Sequence, residues 1–346
     1  MGVGYRPRAR LSTKTGTMKR AILLELLFLG VFFLPNSVQA DHRKIRVGYA
    51  SLTPAMATLW VTKEGKFFEK NQLEVELIAI QGGAPTVQAT LSGELAFGMA
   101  SGIPVIVSAI QGSGGVILAG IINTLPYQLY ASKEITRVEQ LRGKRVAISR
   151  FGGPADYAVR FVLEKSGLKP VQDVALLQIG GHGERLAALS ARAVDAALIE
   201  PPQTLIARKA GFNLIADVPR MGLEAQHTSL FTTKSFIANH PRTVQAMMKA
   251  LVEGIHFYRT RKEETMKIFA KYMRITDQEA LAESHEQYIQ KGIAPKPYPT
   301  LKGIQSLLDL EAEKNPKAKG ARAEQFVDIR FLQELDQSGY IDSLYK

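Results

Sequence analysis

Cysteine is missing from this chain of 346 residues. Its absence excludes disulfide bonds, thiolate metal sites and cysteine nucleophiles together, and with them a lipid anchor on a cysteine. No run of Lys and Arg interleaved with aromatic residues suggests nucleic-acid binding. No two His, Asp or Glu residues stand at metal-ligand spacing with a third partner. We therefore expect neither a metal ion nor another cofactor.

A stretch long enough to span a membrane is also missing. Ala21–Leu34 has 14 residues and includes Glu25, whereas a bilayer core needs about 20. The stretch follows Met18-Lys19-Arg20 and precedes Ser37-Val38-Gln39-Ala40, which is the three-part pattern of a secretory signal. We expect residues 1–40 to be a cleaved signal peptide, with Met18 as an alternative start and a transmembrane anchor as the weaker interpretation. A soluble exported protein without a lipid anchor indicates the periplasm.

The rest of the composition is typical of a globular protein with a substantial core. Apolar residues make up 46% of the chain and charged residues 22%, and the length leaves room for two ordinary domains. The formal charge is +12. Without residues 1–40 there remain 38 basic and 31 acidic side chains, a charge of +7, which we interpret as a mildly basic, solvated surface.

Short apolar segments alternate with amphipathic ones through the first two thirds of the chain. Strands that alternate with helices indicate an α/β fold with mostly parallel sheets, because parallel neighbours need a crossover connection. After Pro241 apolar residues recur at helical spacing, from Val244 to Ile255. The predicted strands are Lys44–Tyr49, Glu74–Ile80, Phe97–Met99, Val116–Ile122, Gln128–Ser132, Arg145–Ile148, Val174–Ile179, Ala196–Ile199 and Asn213–Ala216.

Several apolar segments end in a short turn that is followed at once by proline. Proline suits the first position of a helix, where its missing N–H has no intrahelical partner. Each site therefore predicts a strand, a tight turn and a helix whose free N–H groups face a ligand cleft at the carboxyl edge of the sheet. The prolines are Pro54, Pro85, Pro104, Pro154 and the pair Pro201–Pro202.

A family resemblance rests on the order and spacing of the stretches Ile45–Tyr49, Glu64–Phe68, Leu91–Gly98, Leu141–Ala147 and Asp195–Pro201. Together they resemble the periplasmic substrate-binding proteins of ABC importers, in the branch that serves nitrate, sulfonates, taurine and pyrimidine precursors. The resemblance covers most of residues 45–235. The helices nearer the carboxyl terminus match this branch in general character.

The resemblance implies a two-lobed periplasmic-binding-protein fold, with two α/β lobes, two hinge strands and a cleft between the lobes. Carried onto this sequence, the first lobe comprises residues 43–127 and 232–346, and the second comprises residues 131–226. The hinges fall near Tyr127–Ala131 and His227–Phe231. The same resemblance implies a monomer that hands its ligand to a membrane permease.

The candidate ligand-binding residues lie in the turns before the proline-led helices and at the expected hinge. Hydroxyl groups there cap a helix or bind a ligand, and glycines let the backbone approach a ligand or adopt positive φ. For each turn both interpretations stay open. The candidates are Ser51, Thr53, Gly82, Gly83, Ser101, Gly102, Phe151, Gly152, Gly153, Tyr157, Glu200 and His227.

The charged and aromatic candidates have separate arguments. Tyr157 lies in the first turn of a helix and can close over a ligand. Glu200 ends an apolar strand and, by the resemblance, corresponds to a cleft-facing acid in parts of the family; alternatively it favours the helix dipole. Arg150 could supply positive charge to an anion. His182 is near the expected cleft, where we favour a surface-loop role.

The most consistent function is that of a receptor, without catalysis, that captures a small solute and delivers it to a permease. Several helix N-termini favour an anion, whereas Glu200 would repel a bare inorganic one. We therefore expect a small organic ligand with an acidic end, such as a sulfonate or carboxylate, and keep a pyrimidine-like ligand as the alternative. An enzyme on the same fold is the second hypothesis, although the family's enzymes use cysteine and this chain has none.

Overall fold

The computed structural model describes residues 1–2, 44–312 and 315–346. The predicted signal segment Met18–Ala40 lies outside the described residues, so its prediction is untested. From Arg43 onward the chain clusters as one compact unit. Within the described ranges, no helix has both the length and the hydropathy needed to cross a membrane.

The first of two five-stranded sheets has the order β2-β1-β3-β10-β4. Strands β1 to β3 run parallel, and each has its carboxyl end at the same edge. Strand β10 is antiparallel to β3 and β4 on either side of it. The strands are β1 Ile45–Tyr49, β2 Val75–Ala79, β3 Phe97–Ala100, β4 Gly115–Thr124 and β10 Glu224–Thr233.

The second sheet repeats this arrangement in the order β7-β6-β8-β5-β9. Strands β6 to β8 are parallel, and β5 is antiparallel to β8 and β9. Both sheets are therefore mixed, and the predicted α/β class is confirmed. The strands are β5 Gln128–Ala131, β6 Arg145–Ile148, β7 Ala175–Gln178, β8 Ala196–Ile199 and β9 Asn213–Asp217.

Helices cover the faces of both sheets, and each sheet with its helices forms a lobe. The first lobe contains the helices that follow its own strands and those of the last third of the chain, with Trp60, Leu251 and Phe269 fully buried among them. The helices are α1 Ala57–Glu64, α2 Phe67–Lys70, α3 Gly83–Leu91, α4 Gly102–Ile110, α5 Pro154–Lys165, α6 His182–Ser190, α7 Gln203–Lys209, α8 Lys234–Asn239, α9 Pro241–Thr260, α10 Lys262–Met273, α11 Gln278–Lys291, α12 Leu301–Ala312, α13 Arg330–Gln337 and α14 Tyr340–Ser343.

The chain passes between the sheets at residues 125–127 and again at residues 218–223. The predicted hinge segments therefore lie mostly inside strands, with Gln128–Ala131 forming β5 and His227–Phe231 lying within β10. The resemblance implied a hinge strand near His227–Phe231, which lies within β10, but apolar patterning alone predicted no strand there, because Gln, His, Thr and Ser occupy positions that are buried on both faces. The residue limits of the two moving lobes stay a prediction.

Of the prolines that the sequence predicted to begin a helix, two begin a helical segment and the others do not. Pro154 is the first residue of α5, and Pro54 begins a short 3-10 turn. Pro85 and Pro104 are third residues, since α3 and α4 begin two residues earlier at glycine. Their predicted position was therefore wrong by two residues, although a third helical residue also lacks an intrahelical N–H partner. Pro202 precedes α7 instead of beginning it.

Candidate functional site

The carboxyl edges of the two sheets face each other across a seam. Helices α3 and α4 begin at this edge in the first lobe, and α5, α6 and α7 begin at it in the second. Tyr157 of α5 packs against the apolar clusters of both lobes. A Cβ atom on Gly82 would lie 3.5 Å from Cζ of Arg150, which belongs to the other lobe. The seam lies where the sequence predicts the ligand cleft, and ligand binding there is a proposal.

The first-lobe turn after β1 holds two hydroxyl groups that contact each other. Ser51 Oγ lies 3.1 Å from Thr53 Oγ1. Thr53 is the N-cap of the short turn at Pro54, but its side chain caps no N–H there. Helix capping therefore does not account for the hydroxyl of Thr53, and a ligand contact remains the proposal for this pair.

The turns before α3 and α4 differ in what their glycines do. Gly82 has φ of 104° and donates its N–H to Ala50 O at 2.9 Å, so it serves a turn that disfavours a side chain. Gly102 begins α4 against β10, where an added Cβ would come within 2.6 Å of Gln226 Cγ. The absence of a side chain at Gly102 thus has a packing reason.

Ser101 and Gly83 complete the first-lobe candidates. Ser101 is buried, and its Oγ accepts a hydrogen bond from the N–H of Ile103 at 3.3 Å, so this hydroxyl does cap α4. Gly83 is the first residue of α3, and a Cβ there would meet Pro104 Cγ at 3.3 Å. Both residues have structural roles in the turn, and ligand contact by either is a proposal.

The second-lobe turn before α5 contains Phe151, Gly152 and Gly153. Phe151 is half exposed. Gly152 has φ of 71°, and its N–H donates to Asp156 Oδ2 at 2.9 Å, so that N–H is already engaged. Gly153 is the extended N-cap of α5. The turn therefore carries a half-exposed aromatic ring at Phe151 directly before the free N–H groups of α5.

Arg150 brings an unbalanced positive charge to the same place. Its side chain is exposed, and within the described residues it makes no ion pair. The guanidinium lies beside Gly82, directly before the amino end of α3. A cation and the positive end of a helix dipole thus face each other across the cleft. This arrangement favours an anion that contacts both.

Glu200 is the most deeply buried acid of the seam, with 2% of its surface exposed. Its Oε1 lies 2.8 Å from Nε2 of His182, and its Oε2 accepts a hydrogen bond of 2.8 Å from the hydroxyl of Tyr288. Nδ1 of His182 lies 3.0 Å from Nη2 of Arg185. Because a guanidinium can only donate, His182 carries its proton on Nε2 and donates it to Glu200.

These contacts keep Glu200 ionised despite its burial. Burial raises the pKa of its carboxyl group, but His182, His227 and the hydroxyl of Tyr288 together lower it to about 2. Burial lowers the pKa of His182, which agrees with a neutral imidazole between Arg185 and Glu200. The seam therefore holds one buried cation and one buried anion joined through a neutral ring.

His227 lies beside this chain of groups. Its Nε2 is 3.3 Å from the hydroxyl of Tyr127, and its Nδ1 is 2.9 Å from Thr228 Oγ1. Burial lowers the pKa of His227 to about 4, so the ring is neutral at neutral pH. Tyr127 stacks on His182 at a centroid distance of 6.1 Å, and burial raises the pKa of its hydroxyl.

Sequence reasoning identified Glu200 and His227 but missed their partners. Arg185, Tyr127 and Tyr288 stand in ordinary apolar or amphipathic segments, and Tyr288 arrives from a helix 88 positions away from Glu200. The sequence favoured a surface role for His182, whereas the structure places it mostly buried at the start of α6. No group of three or more His, Cys, Asp or Glu residues among the described ones could hold a metal ion.

Comparison with known proteins finds one family model and one curated relative that match this chain. A family model described as "NMT1/THI5 like" matches residues 53–265. A Bacillus subtilis (strain 168) protein described as "Putative binding protein YtlA" is 23% identical over 247 residues, which cover 68% of this chain and 74% of that protein. The residues that the family model matches span parts of both lobes.

Solved structures share the fold at low sequence identity. The alkanesulfonate-binding protein SsuA from Xanthomonas axonopodis pv. citri, bound to MOPS, has a TM-score of 0.67 at 19% identity, covering 83% of this chain and 98% of that one. SsuA from Escherichia coli gives 0.64 at 19%, covering 78% and 87%. The nitrate-binding protein NrtA from Synechocystis PCC 6803 gives 0.71 at 15%, covering 85% and 88%. These likenesses confirm the two-lobed periplasmic-binding-protein fold.

Proposed function

Since this chain belongs to the NMT1/THI5-like family, we propose that it is the solute-binding receptor of an ABC importer, with a small acid-bearing ligand captured between the two lobes. The single observation that carries the ligand class is Arg150, an unpaired cation that faces Gly82 and the amino end of α3 across the cleft. A sulfonate or carboxylate group balances both positive charges at once.

The structure changes the part that we assign to Glu200. Both of its oxygens already accept hydrogen bonds from protein groups, and Arg185 lies one imidazole away. We therefore propose that Glu200 acts first in the protein's own network, and each of its oxygens can still accept one further hydrogen bond from a ligand. The repulsion that argued against nitrate is correspondingly weaker, so inorganic anions belong among the ligands to be tested.

The proposed ligand contacts are the turns at Ser51–Thr53, Gly82–Gly83, Ser101–Gly102 and Phe151–Gly153, with Tyr157 closing over the ligand. The partner is a membrane permease that receives the ligand from the closed protein.

Two relatives in structure are described as periplasmic, which supports the proposal that this protein is exported to the periplasm. The family's default supports a monomer, and the described residues give no observation that favours the enzyme hypothesis.

A thermal-shift screen tests the ligand class. Sulfonates, carboxylates and nitrate are compared with cationic and uncharged compounds of similar size. A ligand at 100 times its dissociation constant stabilises the folded protein by about 2.7 kcal/mol. We expect stabilisation by at least one anion. Stabilisation by uncharged pyrimidines alone would contradict the proposed ligand class.

Arg150→Gln then tests the residue that carries the proposal. Loss of a charge-assisted hydrogen bond of about 1.5–3 kcal/mol weakens binding of the anion about 10- to 150-fold, measured by titration calorimetry. Lys165→Gln is the matched control, because it removes one exposed positive charge from the far end of α5. Equal affinities for wild type and Arg150→Gln would refute the role of Arg150.

A further inference from the structure

One hydrogen bond joins the two lobes through groups that are both almost fully buried. The hydroxyl of Tyr288, on α11 of the first lobe, donates to Oε2 of Glu200, which follows β8 of the second lobe, at 2.8 Å. Each residue has 2% of its surface exposed. The ring of Tyr288 packs in the apolar core of the first lobe, so the hydroxyl has a fixed direction.

The acceptor is as firmly held as the donor. Arg185 also donates to the backbone oxygens of Leu198 and Gly181, which fixes its guanidinium within the second lobe. The His182 ring contacts Arg185 through Nδ1 and Glu200 through Nε2, so the position of Arg185 also fixes the position of the Glu200 carboxylate. These contacts lie within the second lobe and do not depend on Tyr288.

Exposed ion pairs between α7 and α11 lie at the solvent-facing side of this contact between the lobes. Arg208 of α7 makes two hydrogen bonds to Glu283 of α11, of 3.2 and 2.6 Å. Lys209 of α7 approaches Glu279 of α11 at 2.6 Å. Exposed pairs of this kind contribute little and are screened by salt. The buried hydrogen bond between Tyr288 and Glu200 is therefore the element of this contact that resists salt and water.

We infer that Tyr288 is a positioning residue that latches the closed form, in which its hydroxyl donates across the cleft to a Glu200 oriented by His182 and Arg185. The inference rests on the proposed function, because a latch on the closed form matters for a receptor that opens and closes. Tyr288 is distinct from the anion-binding turns, since it contacts Glu200 rather than Arg150 or the amino end of α3.

Loss of the hydrogen bond between Tyr288 and Glu200 should affect the binding of every ligand, whereas loss of a ligand contact affects only the ligands that use it. If binding requires the closed form, a lower closed population weakens every ligand by the same factor. Removing the hydrogen bond to the charged group Glu200 shifts that equilibrium about tenfold or more toward the open form. Tyr288→Phe should therefore weaken all ligands alike, whereas Arg150→Gln should weaken anions selectively.

The experiment uses the full mature chain, whose lack of cysteine allows clean labelling. Ser92→Cys and Ser190→Cys place one exposed label at the end of α3 and one at the end of α6, in different lobes. Distances between the labels are measured with and without the best anion from the thermal-shift screen, in the Tyr288→Phe and wild-type backgrounds. Dissociation constants are measured for that anion and for a weaker ligand.

Tyr258→Phe is the matched control. It deletes a hydroxyl from another fully buried tyrosine of the first lobe, and that hydroxyl has no hydrogen-bond partner among the described residues. A purely structural loss would lower the melting temperature of either variant without changing the distances between the lobes. The double variant Tyr288→Phe/Glu200→Leu should be no more open than Glu200→Leu, because leucine has no oxygen to accept the hydrogen bond that Tyr288 donates.

We expect Tyr288→Phe to lengthen the distance between labels and to weaken both ligands about tenfold, while Tyr258→Phe leaves distances and affinities unchanged. Distances and affinities of Tyr288→Phe equal to those of wild type would overturn the latch. That result would leave the proposed function standing if the anion still closes the wild-type protein. Conversely, failure of every screened ligand to bind wild type would reject the proposed function, and the ligand-free distances would still decide the latch.

Discussion

Arg185→Met should lower the free energy of unfolding by about 3–5 kcal/mol, the cost typical of removing one member of a buried charge pair. Arg185 is 1% exposed, and its guanidinium donates to His182 and to the backbone oxygens of Leu198 and Gly181. Methionine fills a similar volume but leaves those acceptors unpaired and Glu200 without its balancing charge. Urea unfolding monitored by circular dichroism measures the change.

Arg208→Met is the matched control for that prediction. Arg208 also forms a hydrogen-bonded ion pair, with Glu283, but its side chain is 55% exposed. Exposed pairs contribute about 1 kcal/mol or less. If Arg185→Met also costs less than about 1 kcal/mol, Arg185 does not balance the buried charge of Glu200 in the way described.

Acidification should destabilise the protein between pH 6.5 and pH 4 through His227. The pKa of His227 falls from 6.5 to about 4 in the folded protein because of burial. In this range the unfolded chain binds the proton and the folded one does not, so stability falls as the pH falls. The difference of about 2.5 pKa units corresponds to about 3 kcal/mol, most of which is lost by pH 4.

His227→Gln isolates this contribution. The variant removes the titrating ring but keeps a polar side chain beside Tyr127, so it should lose less stability than wild type between pH 7 and pH 4. Below that range Glu200 acts in the same direction, since its pKa of about 2 lies under its ordinary value of 4.5. Identical pH dependence of the two unfolding free energies above pH 4 would show that His227 does not titrate as described.

The sequence predicted most elements within one or two residues because the strands are short, apolar and bounded by turn residues. Arg145–Ile148 and Ala196–Ile199 agree with β6 and β8 at both ends. The resemblance implied a hinge strand near His227–Phe231, but apolar patterning alone missed β10, because residues 226–229 are Gln, His, Thr and Ser and do not show the alternation of a half-buried strand. Buried on both faces, these polar residues are held by their positions beside β3 and β4.

The sequence predicted the turns of the candidate site but not the hydrogen bonds around Glu200. Gly82, Ser101 and Gly153 precede helices that the sequence already predicted, so their place at the cleft follows from the chain direction alone. The contact of Tyr288 with Glu200 depends on how α11 of the first lobe meets the second lobe. No local pattern encodes that distance, and the sequence therefore left Glu200 free to face a ligand.

The central claim is that this protein closes around a small anion, and small-angle X-ray scattering during a ligand titration tests it most directly. The protein is titrated with the best anion from the thermal-shift screen at constant protein concentration. We predict a radius of gyration that decreases and saturates at one ligand per chain, as the open form is drawn into the compact form with both lobes in contact. A saturating calorimetric signal with no change in the radius of gyration, or no binding of any anion, would contradict the account.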